Sequence, residues 1–208
     1  MKKLSPIFSS IITISILIAC GGDTVTSNKY LGEYPSMVKS YYNKKEKKAK
    51  EVKECTDMQQ AFKLSKEEDA LKEKAEKKIK EHLELHPIVD TELPFTAIDN
   101  AYYTLTKVVV NKSYPASLNL KFIVNIKQDI TNKYGGIEKR LFLYYKAIDS
   151  AGNDIAGTKT VATNFKRIEL KAGLNYEVFG TWKGSSVANL EDFAKVVEIT
   201  EQEYKEKK

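Results

Sequence analysis

The chain has 208 residues, 42% of them hydrophobic and 30% charged, with 34 Lys and Arg against 28 Asp and Glu and a formal net charge of +6. That length holds one ordinary domain plus an appendage. Two cysteines can close at most one bond, which excludes a disulfide-rich scaffold.

Lys2 and Lys3 precede an apolar run, Ile7 to Ala19, interrupted only by Ser9, Ser10, Thr13 and Ser15. A membrane-spanning helix needs ~20 apolar residues, which this run does not supply. A charged start, a short apolar stretch and a small-residue exit read instead as an export signal. The exit, Leu17-Ile18-Ala19-Cys20, resembles the lipobox of bacterial lipoproteins. The resemblance implies removal of residues 1–19, joining of the Cys20 thiol to diacylglycerol and acylation of the new amino group. Several acyl chains, at ~0.8 kcal/mol per buried CH₂, would hold the protein to a membrane almost permanently. Gly21 after the cysteine favours, by the same resemblance, the outer membrane of a cell envelope. A plain signal peptide cut near Ala19 or Cys20 is the alternative. Loss of Lys2 and Lys3 lowers the net charge to about +4. An exported, anchored chain meets little nucleic acid, so none is expected as a partner.

Residues 20–34 are small, polar and glycine-containing and read as a flexible tether. Residues 35–87 shift to Lys, Glu, Ala and Leu, which is helix composition. Ser65-Lys66-Glu67-Glu68 fits a capping box and predicts a helix from Lys66. Leu71, Ala75, Ile79 and Leu83 then place a narrow apolar stripe on it, and His86-Pro87 closes it. Upstream, Val38, Tyr41, Tyr42, Ala49, Val52, Cys55, Met58 and Phe62 form a rougher stripe broken by Lys45. The reading is a helical hairpin with its junction near Lys63–Ser65, or one long helix. Cys55 is either a small buried hydrophobe or a handle for an intermolecular bond.

From Leu93 the periodicity becomes two. Leu118, Leu120, Phe122, Val124 and Ile126 alternate with Asn119, Lys121, Asn125 and Lys127 as a half-buried strand does. Further strands are predicted at 102–110, 140–148, 161–165, 176–182 and 196–200, separated by Gly-, Asn- and Ser-containing turns. Asn189 to Phe193 suits a single helical turn. Short strands with no helix between most of them imply an antiparallel sandwich over residues 93–202, followed by a charged tail, 203–208. Leu170 to Val178, with Gly173 and Tyr176, resembles the tyrosine corner of immunoglobulin-like sandwiches. Phe142 to Gly152 resembles small immunoglobulin-like domains of bacterial surface lipoproteins. The expected class is therefore α+β, an N-terminal helical hairpin followed by an antiparallel immunoglobulin-like sandwich.

Catalytic constellations are not evident. His82 and His86 stand four apart, but Glu84 is misplaced for HExxH and Pro87 turns His86 off the helix. Asp149 and Asp154 flank a Gly-containing turn that accounts for them. Neither a GxSxG elbow nor a phosphate loop occurs, and no metal or cofactor is expected. Twelve tyrosines and one tryptophan supply flat faces for contacts. Tyr102-Tyr103 and Tyr144-Tyr145 should each point one ring outward. Trp182-Lys183-Gly184-Ser185-Ser186, which ends a strand in a loop, is the best candidate contact surface, and Tyr144 and Tyr102 are further candidate contact residues. The expectation is a membrane-anchored, non-enzymatic lipoprotein for protein interaction or envelope assembly, its partner an envelope protein. A surface binder of glycan or small ligand is the alternative.

Overall fold

The structure, a computed structural model, describes residues 27–130, 138–164 and 168–206. The expected signal, the lipidation position Cys20 and the first part of the tether lie outside the described residues.

Two long helices come first, α1 (Tyr34–Glu54) and α2 (Met58–Leu85). Pro35 sits in the first turn of α1, where its missing N–H costs nothing. The chain breaks at residues 55–57, eight positions ahead of the expected junction. Asp57 is the reason: its carboxylate accepts from the Gln59 N–H at 2.9 Å and starts α2. The Ser65 capping sequence is thereby absorbed into the helix interior. Lys48 of α1 reaches Glu67 of α2 at 2.9 Å, and the expected α2 stripe is half-buried at Leu71, Ala75 and Leu83 and buried at Ile79.

The remainder is strand: β1 (Phe95–Thr96), β2 (Tyr103–Tyr114), β3 (Ser117–Ile126), β4 (Glu138–Lys139), β5 (Phe142–Asp149), β6 (Thr160–Thr163), β7 (Ile168–Glu169), β8 (Asn175–Lys183) and β9 (Phe193–Ile199). A short helix α3 (Ser185–Ala188) and a 3-10 turn (Leu190–Asp192) precede β9, and α4 (Glu201–Lys205) follows it. The class is α+β. Seven strands pair in the order β1-β9-β5-β6-β8-β3-β2, every pair antiparallel except β1 with β9. β4 pairs with β7 apart from them.

Hydrogen bonding runs through all seven strands, and among the described residues β6 and β8 share the single pair Thr163↔Phe179. The two ends of the order nearly meet. Residues 90–93 bond to β2 (Leu93 N–H to Val108 O, 2.9 Å), and Phe95 and Thr96 then pair with β9. The sheet thus bends into an almost closed surface, with the alternating residues of β3 inside it at full burial.

Two boundaries differ from the sequence reading. Residues 28–34 are folded, not tether: Asn28 Nδ2 donates to the Glu191 and Phe193 carbonyls at 3.1 and 2.9 Å, and Leu31 and Tyr34 are fully buried. At the other end, residues 203–205 of the expected charged tail belong to α4. Thr200 Oγ1 caps that helix by accepting from the Glu203 N–H at 3.0 Å, and Glu203 pairs with Lys146 of β5 at 2.7 Å.

Candidate functional site

The four expected contact residues do not form one surface. Trp182 is 1% exposed; its ring packs on Tyr145 and Phe193, and its Nε1–H donates to the Thr158 carbonyl at 2.7 Å. It is a core residue. Its position two and four residues after Gly180 and Val178, both buried, places it on the inner side of β8. That parity was the available signal. Tyr144 faces outward, as its strand position implies, but the Tyr204 ring of α4 covers it at 4.9 Å between centroids. Tyr102 is 53% exposed, beside the start of β2. Lys183 is exposed and pairs with Ser117 at the opposite end of β3, ~30 Å from Tyr102 by strand length.

Lys183 does border a cleft. The turn between β2 and β3, the loop after β8 and the two helices meet around a volume of about 650 Å³. Tyr42, Tyr114, Lys183, Ser185 and Glu76 line it. Gly184 has φ +58, and a Cβ there would stand 2.9 Å from the Tyr42 hydroxyl, so glycine is required at this corner. Burial raises the pKa of the Tyr42 phenol, with Glu76 adding to it, so the hydroxyl stays protonated and can donate.

A second cleft, about 690 Å³, opens between α1 and α2. Tyr41, Leu71, Ala75 and Ile79 contribute its apolar floor, and Lys44, Lys74 and Lys78 line it from both helices. The carboxylate among its lining residues, Glu191, pairs with Lys39.

Inside the sheet, Tyr103 Oη–H donates to Glu198 Oε1 at 2.7 Å, and the Ile98 N–H to Oε2 at 3.3 Å. Burial raises the pKa of Glu198 against the lowering effect of those two donors, and burial followed by Glu198 raises that of Tyr103. The pair joins β2 to β9, the two sides that residues 90–96 bridge. It is enclosed, so its role is structural.

The His82 and His86 rings lie 4.8 Å apart at the end of α2, and among the described residues no group of three His, Cys, Asp or Glu could hold a metal. Asp149 accepts from the Ala151 and Asn153 N–H groups at 2.9 and 2.8 Å, which lowers its pKa and organises the turn. Cys55 is neither deeply buried nor bridged; it sits half-exposed between α1 and α2, its thiol donating to the Asp57 carbonyl at 3.2 Å. Among the described residues no helix is long and apolar enough to cross a membrane. Comparison with known protein families, curated proteins and solved structures finds no match to this chain.

Proposed function

We propose that the protein is a non-enzymatic lipoprotein, anchored to the outer membrane through Cys20, that serves as a protein-interaction or envelope-assembly module. In this reading α1 and α2 form a helical hairpin presented by an immunoglobulin-like sandwich. The hydrogen bond from the Lys171 N–H to the Tyr176 hydroxyl, 2.9 Å, supports the sandwich, since a tyrosine corner ties its ring to backbone a few residues upstream. The carrying observation is the unequal treatment of the helix pair. Its base is fixed to the sheet through buried Leu31, Tyr34 and Val38, while Met58 and Phe62, near the start of α2, stand 86% and 65% exposed. Apolar side chains held out on a fixed support suit a partner protein.

The cleft of Tyr42, Tyr114 and Lys183 favours a second reading, a binder of a glycan or other small polar ligand, because rings and polar groups converge there. Crosslinking and co-purification of the intact protein from detergent-solubilised membranes separates the two. Recovery of one stoichiometric envelope protein, crosslinked through the helices, is expected. Recovery of the protein alone, under conditions that preserve known complexes, would transfer the role to the cleft. Cys20→Ser should release the protein from membranes, and unchanged retention without lipid label would remove the anchor from the proposal.

A further inference from the structure

The lysines of the helix pair fall into two groups. Lys48, Lys50, Lys77 and Lys80 each have a carboxylate partner on the same pair of helices. Of the helix-pair lysines that make no ion pair among the described residues, Lys44, Lys74 and Lys78 line the cleft between α1 and α2; Lys39, also on the cleft, pairs with Glu191. Lys74 and Lys78 stand one turn apart on α2, an arrangement of like charges that destabilises a helix. Neither has an ion-pair partner among the described residues, and a bound anionic group would offset the repulsion.

Beneath the lysines the floor is apolar, with Tyr41 and Ile79 buried and Leu71 and Ala75 half-buried. From Leu71 to Ile79 the floor runs eight residues, ~12 Å of helix. That length accepts about two turns of a second helix, with anchors at i and i+3 or i+4. The apolar atoms lie between the helices and below the charges. A side chain inserted into the cleft reaches them; the flat surface of a bilayer, which meets a helix on its outer face, does not.

We infer that this groove is the docking site for an acidic amphipathic helix of a partner protein, its apolar residues on the floor and its carboxylates on Lys44, Lys74 and Lys78. The inference rests on the interaction reading above and supplies the partner's chemistry. The test is fluorescence anisotropy of the purified full-length protein in mild detergent with a labelled 14-residue amphipathic peptide of Glu, Leu and Ala. We expect saturable binding that weakens as salt rises, because the ion pairs are exposed. The triple reversal Lys44→Glu, Lys74→Glu, Lys78→Glu should weaken it at least tenfold, as should Ala75→Trp, which fills the floor. Lys112→Glu, exposed on β2 and outside the groove, should leave it unchanged. Absence of binding, or equal binding to the triple variant, would overturn the inference. So would capture of phosphatidylglycerol vesicles by the same three lysines without competition from the peptide. A membrane partner whose crosslinks avoid the groove would overturn the groove and leave the interaction reading standing. Peptide binding that needs the three lysines, with no membrane partner recovered, would support the groove and count against that reading.

Discussion

The Tyr34 hydroxyl donates to the Ser117 carbonyl at 3.0 Å, across 83 positions of sequence, and lies 2.8 Å from the Tyr114 carbonyl as well. One fully buried phenol at the start of α1 therefore holds the turn between β2 and β3. Burial raises its pKa, with Tyr42 adding to the effect, so it remains a donor. Tyr34→Phe should cost about 1–2 kcal/mol by leaving those carbonyls without their donor. Tyr34→Ala should cost about 3–5 kcal/mol through the cavity it opens. Urea denaturation followed by far-ultraviolet circular dichroism and by tryptophan fluorescence measures both. Coincident transitions are expected in the wild type, because this contact couples helices to sheet; separate transitions would show that it does not.

Glu198 gives the fold a pH dependence of defined sign. Its pKa is raised in the folded state, chiefly by burial, so folding favours its protonated form. The associated stability is fully present below the ordinary carboxylate pKa and is lost as pH rises through the raised folded value. Glu198→Gln cannot ionise and escapes this loss. The variant should therefore gain stability relative to the wild type as pH climbs from about 4 toward 7. Melting temperatures of both proteins across that range decide it; a difference that stays flat, or that falls with pH, would contradict the assignment. Taking the difference cancels the exposed carboxylates with lowered pKa, such as Glu67 and Asp149, which act in the opposite direction.

What could be read in advance follows from how far each signal reaches. β3 was legible because five apolar residues alternate without interruption, and a half-buried strand demands that pattern. The break between α1 and α2 was misplaced because two capping sequences compete, at Asp57 and at Ser65. Local propensity does not say which one tertiary structure will use, and the extended backbone at Cys55 settled it for Asp57. Asn28 was invisible: its partners lie 163 and 165 positions away, and no periodicity announces a single amide that bonds two distant carbonyls. The groove was half legible. The stripe Leu71, Ala75 and Ile79 could be seen, but the lysines lining it looked like any solvated face until α1 was laid beside them.

Trp182 is the one tryptophan of the chain and thus reports its own environment. Buried to 1% exposure and bonded to the Thr158 carbonyl, it should emit at short wavelength and resist quenching by acrylamide and iodide until the protein unfolds. Trp182→Ala should destabilise the fold by about 3–5 kcal/mol. A red-shifted, readily quenched emission from the native protein would return this ring to the surface and restore it as a contact residue.

Gly180 and Tyr145 test the packing beneath β8. A Cβ at position 180 would lie 2.2 Å from the Tyr145 hydroxyl oxygen and 2.7 Å from the ring, so the aromatic core occupies the space a side chain would need. Gly180→Ala must displace a ring already packed on Phe122 and Trp182, and should cost about 3 kcal/mol. The Tyr145 hydroxyl itself is buried without a hydrogen bond of ordinary geometry, the Thr181 backbone being the polar group that acts on it. Removing an unsatisfied buried hydroxyl also removes its desolvation penalty. Tyr145→Phe should therefore be neutral or stabilising by up to about 1 kcal/mol, whereas most core tyrosines lose stability on this change. Chemical denaturation of the two single variants provides the comparison. A clear loss in Tyr145→Phe would mean that the hydroxyl has a firm partner, and a tolerated Gly180→Ala would mean that the sheet opens at β6 without disturbing the core.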